Sequence, residues 1–142
     1  MSEIVIVEDS AADAKEVKRA LKKAGIKNPI KWIDDGTRAM EYLEAVSEIP
    51  RVVFLDIKLP GLTGLEILDR LRENRSFEKM LRVVFSSLED LGTIKEAYAR
   101  GAHSYITKPV SDIDLENLVK AFSGYWIISE SGERLAAPAQ ND

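Results

Sequence analysis

The chain has 142 residues and a formal net charge of −4, with 45% hydrophobic and 31% charged residues. This composition is ordinary for a globular domain with a proper core, and it lacks the basic stripe that a nucleic-acid binder needs. Because the chain has no cysteine and His103 is its single histidine, disulfides, thiolate metal sites and histidine-rich metal sites are excluded.

Short apolar runs alternate with amphipathic stretches five times along the chain. The apolar runs, which predict strands, are residues 4–7, 30–33, 52–55, 81–85 and 104–106. The first run follows the N-terminus directly and is unlike a signal peptide. No run approaches the roughly 20 apolar residues that cross a bilayer, so we expect a cytoplasmic protein without membrane association.

Residues of helical period lie between these runs. The predicted helices cover residues 14–24 with Gly25 at the end, a second from about Thr37, a third opened by a capping box at Thr63, a fourth over 91–100, and a fifth around 115–122. The alternation predicts an α/β fold, a doubly wound parallel sheet of five strands with five helices. One common strand order for such sheets is 2-1-3-4-5, with the run at 30–33 as an edge strand.

Charged side chains follow three of the predicted strands. Glu8 and Asp9 end the first, Asp56 ends the third, and Lys108 follows the fifth. In the expected strand order these side chains meet at one edge of the sheet. Clustered carboxylates repel one another unless a cation lies between them, and Mg²⁺ prefers such oxygen ligands. With the lysine as a second positive charge, the pattern predicts a site that accepts a phosphoryl group.

Four segments together resemble the receiver domain of two-component response regulators. They are residues 7–9 (VED), 55–61 (LDIKLPG) with Gly64 beyond, 85–87 (FSS) and 105–109 (YITKP), and the resemblance covers residues 3 to about 123. Residues 101–110, followed by Tyr125 and Trp126, further resemble the single-domain regulators that partner bacterial phytochrome kinases. Ser10 departs from that subgroup, in which asparagine is common, at a position not expected to bind metal.

The resemblance implies a flavodoxin-like receiver fold over residues 1–126, with residues 127–142 as a flexible C-terminal tail. It implies a single-domain response regulator that takes a phosphoryl group from a sensor histidine kinase, here a phytochrome, onto an aspartate. Signalling would follow from a phosphorylation-dependent change in shape and partner binding. A downstream phosphotransfer protein and a homodimer are the other expected partners, and no enzymatic activity is expected beyond the chain's own phosphorylation and dephosphorylation.

The resemblance also assigns roles at the site. Asp56 would be the phosphoacceptor, and Asp9, Asp56 and the main-chain carbonyl of Lys58 would ligate Mg²⁺ or Mn²⁺, with Glu8 acting through water. Lys108, expected before a cis proline bond, would contact a phosphoryl oxygen.

A second group of residues would respond to the phosphoryl group. The Ser86 hydroxyl and the backbone N–H groups of Lys58 and Ser87 would donate hydrogen bonds to it. Ser86 and Tyr105 would change position together as a switch.

Plainer interpretations stay open at each position. The acids could be a solvated loop or a turn cap, Lys108 a surface lysine, Ser86 the N-cap of the fourth helix, and Tyr105 a packing residue. Lys58 and Leu88 would tune the loss of the phosphoryl group in an unknown direction, and His103 is expected to be structural or exposed. Tyr125 and Trp126 either extend the core or form an exposed dimer patch, which we favour.

Two other functions use the same fold. A cofactor-binding or hydrolytic enzyme would need a phosphate loop after the first strand, a P-loop motif, or a second acid where Lys58 stands. A degenerate receiver would bind partners without phosphate, but every expected site residue is present.

Overall fold

The computed structural model describes residues 3–128 as one α/β unit. Its strands are β1 (Ile4–Val7), β2 (Ile30–Ile33), β3 (Val52–Leu55), β4 (Leu81–Ser86) and β5 (Ser104–Thr107). Its helices are α1 (Ala11–Lys23), α2 (Gly36–Ala45), α3 (Gly64–Glu73), α4 (Leu91–Ala99) and α5 (Asp112–Ala121), with a short 3-10 helix at Arg75–Phe77. The predicted class and element order are confirmed. Within residues 3–128, none of the helices has the length and apolar character to cross a membrane.

The sheet has the strand order β2-β1-β3-β4-β5, and all of its strand pairs are parallel. Every residue of β1, β3 and β4 is buried because helices cover both faces of the sheet. Strand β2 forms an edge, and its Lys31 and Trp32 are exposed. The predicted order and the predicted edge strand are both confirmed.

Alternate residues of the central strands belong to two separate hydrophobic cores, one on each face of the sheet. Ile4 and Ile6 of β1 point toward α1 and α5, whereas Val5 and Val7 point toward α2, α3 and α4. This alternation follows from the two-residue period of a strand. Because helices cover both faces, the two ends of the sheet and the loops beyond them are the places left for a polar site.

The C-terminal part of the described chain closes one core. The ring of Trp126 is buried, at 8% exposure, and lies 6.5 Å from the ring of Phe54. Tyr125 packs against the same core in a half-buried position. The predicted exposed dimer patch is therefore wrong for Trp126, because the segment after α5 packs its indole into the core that contains Phe54.

The residues after Trp126 contact the loop that follows α1. The backbone N–H of Ile127 donates to Oδ1 of Asn28 at 2.7 Å, and Ile128 forms an isolated antiparallel bridge with Ile26. These two residues are the first of the predicted tail. The rest of that tail, residues 129–142, lies outside the described residues.

Candidate functional site

Three backbone hydrogen bonds extend the sheet ladder by one residue beyond its strands. The N–H of Glu8 donates to the carbonyl of Ile33 at 3.1 Å, and the N–H of Asp56 donates to the carbonyl of Val7 at 3.0 Å. The N–H of Lys108 likewise donates to the carbonyl of Ser86 at 2.9 Å. Parallel strands therefore fix the backbone of these site residues at the same edge of the sheet.

The ammonium group of Lys108 lies between three carboxylates. Its Nζ atom is 2.6 Å from Oε1 of Glu8, 2.8 Å from Oδ2 of Asp13 and 3.0 Å from Oδ2 of Asp56. The Lys108 side chain is 14% exposed, and those of Glu8 and Asp56 are 1% and 8% exposed. This burial does not fit a surface lysine at Lys108 or a solvated loop position for Glu8.

Burial and hydrogen bonding shift the pKa values of Glu8 and Lys108 in opposite directions. Burial raises the pKa of Glu8 to about 7, although hydrogen bonds from Lys108 and from the Ser10 backbone work against that shift. For Lys108, burial favours a lower pKa, but its hydrogen bonds to Asp13, Glu8 and Asp56 outweigh burial and raise the pKa above the ordinary lysine value. The lysine is therefore charged, and its charge offsets part of the acidic cluster.

The donor set of Glu8, Asp9 and Asp56 fits a hard divalent cation. One carboxylate oxygen from each residue lies within 4.8 Å of the others. Carboxylate oxygens are the ligands that Mg²⁺ and Mn²⁺ prefer, and Asp9 is exposed, which leaves access for water ligands. The structure thus brings together the three acids predicted to serve a metal, and it places Lys108 among them.

Asp13 belongs to the same cluster but was absent from the sequence-based prediction. It lies in the first turn of α1, and its side chain is 41% exposed. The available signal was its position, because the helix that follows β1 begins at the sheet edge where the acids collect. The prediction considered only residues directly after strands and therefore missed it.

The residues predicted to act as a switch converge on the main chain of Leu88. Ser86 is buried, and its Oγ accepts a hydrogen bond from the N–H of Leu88 at 3.2 Å. The hydroxyl of Tyr105, in a half-buried position, donates to the carbonyl of Leu88 at 2.7 Å. Ser86 and Tyr105 are thus linked through one loop residue.

Helix α4 does not begin with Ser86. Its N-cap is Asp90, whose side chain accepts a hydrogen bond from the N–H of Thr93 at 2.9 Å. The alternative interpretation of Ser86 as an N-cap is wrong, because Ser86 is the last residue of β4. The Ser86 hydroxyl therefore does not cap the helix, and it can serve the site at this edge of the sheet.

The loop after Asp56 passes close to the backbone of that residue. The N–H of Gly64 donates to the carbonyl of Ile57 at 2.9 Å, and a Cβ atom at Gly64 would lie 2.2 Å from the carbonyl oxygen of Asp56. Gly61 in the same loop has a φ of +74°, which favours glycine. The loop also carries Lys58, whose side chain is exposed.

Pro109, Ser87 and His103 are the remaining residues for which the sequence made a prediction. The Lys108–Pro109 peptide bond is cis, and the ring of Phe85 lies 5.1 Å from the Lys108 Nζ atom. Ser87 is exposed beside the site. His103 precedes β5 at the opposite end of the sheet, where the residue is exposed, as one of the two expectations had it, and its Nδ1 accepts a hydrogen bond from the Arg82 backbone N–H at 3.0 Å.

Comparison with known proteins gives a consistent picture. A family model for the response regulator receiver domain matches residues 4–120. The chain is 31% identical over 128 residues to the probable methanogenesis regulatory protein FilR2 of Methanothrix harundinacea, covering 87% of this chain and 83% of that protein. It is 28% identical over 129 residues to the response regulator Rcp1 of Synechocystis, covering 87% of this chain and 88% of Rcp1.

Solved structures are similar over the same region. The Mn²⁺-bound form of Rcp1 aligns with a TM-score of 0.73 at 28% identity, covering 85% of this chain and 91% of that one. The phosphorylated cyanobacterial phytochrome response regulator RcpA also aligns with a TM-score of 0.73 at 28% identity, covering 88% and 93%.

The family match covers most of the chain, and the relatives include regulators associated with phytochromes. The predicted fold and the predicted resemblance are both confirmed. The chain belongs to the response regulator receiver family, whose members are phosphoacceptors of two-component signalling.

Proposed function

We propose that Asp56 accepts a phosphoryl group from a sensor histidine kinase and that the resulting phosphoprotein signals by changing its shape and its binding partners. One observation carries this proposal. The carboxylate of Asp56 lies 3.0 Å from the Lys108 ammonium, in a buried cluster with Glu8 that adjoins Asp9. A fixed positive charge beside an acceptor carboxylate is what transfer of an anionic group requires.

The transfer exchanges one bond for another. A carboxylate oxygen of Asp56 forms a bond to phosphorus as the bond from phosphorus to the histidine nitrogen breaks, and that nitrogen keeps the electron pair. Oδ1 of Asp56 accepts a hydrogen bond from the N–H of Ile57 at 2.7 Å, which fixes the orientation of the carboxylate. Since the transition state is loose and highly charged, positioning and charge neutralisation account for most of the catalysis.

Asp9 and Asp56, together with the main-chain carbonyl of Lys58, would hold Mg²⁺, and Glu8 would act through a water ligand. When bound, the ion neutralises charge on the phosphoryl oxygens. The chain's own residues orient the group: Lys108 contacts one phosphoryl oxygen, and the Ser86 hydroxyl donates to another. The backbone N–H groups of Lys58 and Ser87 supply further donors.

The switch in this proposal uses the loop after β4. If Ser86 moves toward a phosphoryl oxygen, it releases the N–H of Leu88, whose carbonyl accepts from the Tyr105 hydroxyl. The Tyr105 ring then follows into the space that is vacated. Two states that differ by a few kcal/mol suffice for such a switch, because the phosphoryl contacts bias their populations.

The signalling context also belongs to the proposal. The kinase would be a phytochrome, because solved response regulators similar to this chain are named for phytochromes. The unit at residues 1–126 would act in the cytoplasm and catalyse only its own phosphorylation and dephosphorylation. A downstream phosphotransfer protein or a second copy of the chain would read the state, and Lys58 and Leu88 would set the lifetime of the phosphoryl group.

Labelling with acetyl phosphate in the presence of Mg²⁺ tests the acceptor directly. We expect the native chain to gain one phosphoryl group by intact mass, Asp56→Asn to gain none, and Lys108→Ala to label partly without the accompanying structural change. Full labelling of Asp56→Asn would refute the assignment of the acceptor. Flavin absorbance in the purified protein would instead favour the cofactor-binding alternative.

Phosphotransfer from individual histidine kinases tests the partner. The native chain and Asp56→Asn would be incubated with each phosphorylated kinase of the source organism. We expect rapid transfer from a phytochrome kinase to the native chain alone. Transfer from another kinase, with none from a phytochrome kinase, would contradict the phytochrome assignment but leave Asp56 as the acceptor.

A further inference from the structure

Asp13 is the acid of the Lys108 cluster that lies outside the predicted metal set. Lysine has three N–H donors, and in this structure each has a carboxylate partner: Glu8, Asp13 and Asp56. The Asp13 contact, at 2.8 Å, is shorter than the Asp56 contact at 3.0 Å. The ammonium is therefore fully engaged, and a new acceptor must displace one of these three oxygens.

Local structure fixes Asp13 in this position. Ser10 is the N-cap of α1, and its Oγ accepts a hydrogen bond from the N–H of Asp13 at 3.2 Å. The N–H of Ser10 in turn donates to Oε2 of Glu8 at 2.9 Å. The backbone between the buried acid and Asp13 is thus tied at both ends, which holds the Asp13 carboxylate over the Lys108 ammonium on the solvent side.

We propose that Asp13 is a positioning residue that competes with the phosphoryl group for Lys108 and adds negative charge to the neighbouring metal site. This inference rests on the function proposed above. In the unphosphorylated chain Asp13 holds the ammonium toward solvent, and on phosphorylation a phosphoryl oxygen takes over that contact. Asp13 therefore lowers the affinity of the site for an anionic group and raises its affinity for a cation.

The two effects have opposite signs, which separates this role from a structural one. A variant that merely loosened the site would weaken the binding of both the metal and the phosphoryl mimic. Loss of the Asp13 charge alone weakens metal binding and strengthens binding of the mimic. Because Asp13 is partly solvated, each change is expected to be about two- to fivefold, the size of a solvent-screened ion pair.

The test compares Asp13→Asn with the native chain in two calorimetric titrations. The first measures the Mg²⁺ affinity of metal-stripped protein, and the second measures beryllofluoride affinity at saturating Mg²⁺. Glu16→Gln is the matched control, because Glu16 is an exposed acid of the same helix, pairs with Arg19 at 3.3 Å, and its change removes the same unit of charge. Asp13→Glu restores a carboxylate and is expected to return both affinities toward native values.

The outcomes distinguish a failure of the positioning role of Asp13 from a failure of the proposed phosphoacceptor function. Weaker Mg²⁺ binding with tighter beryllofluoride binding in Asp13→Asn, but in neither Glu16→Gln nor Asp13→Glu, would support the positioning role. Weakening of both ligands, or values equal to those of Glu16→Gln, would overturn it. If the native chain bound no beryllofluoride in the presence of Mg²⁺, the proposed function itself would fail, whatever the variants did.

Discussion

The Nζ atom of Lys108 lies 3.0 Å from Oδ2 of Asp56, although 52 positions separate the two residues in the chain. The contact exists because β3 and β5 flank β4 in a parallel sheet, so that both strands end at the same edge. Its consequences for stability and binding can be measured.

Replacing Lys108 with alanine is expected to destabilise the metal-free protein. The change leaves Glu8 and Asp56 buried together without their cation, and breaking a buried pair in this way costs about 3–5 kcal/mol when it is fully enclosed. Because the Lys108 side chain keeps 14% exposure and Asp13 is partly solvated, we expect a loss of about 1–3 kcal/mol in the free energy of unfolding. Urea denaturation in EDTA measures it.

Added Mg²⁺ should restore part of the stability of Lys108→Ala, since the ion supplies the missing positive charge and binds only the folded chain. Lys15→Ala is a suitable control because Lys15 is exposed on α1, and its effect is expected to stay within about 0.5 kcal/mol. Equal unfolding midpoints for the two variants in EDTA would contradict the prediction.

Gly64→Ala is expected to disturb the acceptor from the main-chain side. The new Cβ would lie 2.2 Å from the carbonyl oxygen of Asp56 and 2.8 Å from Cα of Ile57, so the loop must move. We expect a loss of about 1–3 kcal/mol in the free energy of unfolding, together with slower labelling by acetyl phosphate.

Gly92→Ala provides the comparison for that substitution. Gly92 is an exposed residue of α4, and the nearest atom to an added Cβ is Oδ2 of Asp90 at an ordinary 3.6 Å. We expect it to be neutral or to stabilise the fold by up to about 1 kcal/mol, since alanine favours a helix. Thermal unfolding measures both variants, and equal effects would show that the close approach at Gly64 is unimportant.

Trp32 should report the binding of a metal. Its indole Nε1 donates a hydrogen bond at 2.7 Å to the main-chain carbonyl of Glu8, and the side chain is 38% exposed. We expect its emission to change when Mg²⁺ is added. Trp126→Phe removes the second tryptophan, which lies in the core, so that the titration follows Trp32 alone.

The same titration tests the ligand set. Since loss of even an outer-shell partner typically costs roughly 10–100-fold in metal affinity, we expect Asp9→Asn in this background to weaken Mg²⁺ binding about tenfold or more. An unchanged midpoint would remove Asp9 from the metal site.

The single histidine, His103, makes the free energy of unfolding depend on pH in a direction that its pKa shift determines. Partial burial of the ring and the charge of Arg82 lower the pKa of His103 from its usual 6.5. Around and below that value the unfolded chain binds more protons than the folded one, so this contribution to stability is complete above about pH 6.5 and is lost as the pH falls. Protonation of Nδ1 also removes the acceptor for the Arg82 N–H.

His103→Gln should remove this contribution. Glu8 titrates in the same range with the opposite sign, because burial raises its pKa to about 7 and its ionisation lowers stability as the pH rises. The quantity to measure is therefore the difference in free energy of unfolding between the native chain and the variant, at about pH 7.5 and about pH 5.5. A difference that did not change with pH would contradict the prediction, and an NMR titration of His103 gives its pKa directly.

Local patterns were enough to predict the sheet and most of the site. The buried runs at Ile4–Val7 and Val52–Leu55 could be recognised because strands covered on both faces are continuously apolar. Given the strand order, these acids and the lysine had to share an edge, since Glu8, Asp56 and Lys108 each directly follow a strand and Asp9 is next to Glu8.

The missed features depend on contacts between elements distant in sequence. Asp13 joins the cluster only because the Lys108 side chain reaches across to the first turn of α1. Trp126 is buried because of the path the chain takes after α5, which no local period encodes. The interpretation of Ser86 as the N-cap of α4 failed because β4 extends through Ser86, and Asp90, directly before the helix, provides the cap.

The three ladder hydrogen bonds donated by Glu8, Asp56 and Lys108 have a consequence for the opening of the site. Their amide protons cannot reach solvent through loop motion alone, because each belongs to the pairing of adjacent strands. Deuterium should therefore replace them as slowly as it replaces the amides of the central strands, through openings close to the global free energy of unfolding. The main-chain positions of these three residues should then persist until the sheet itself comes apart.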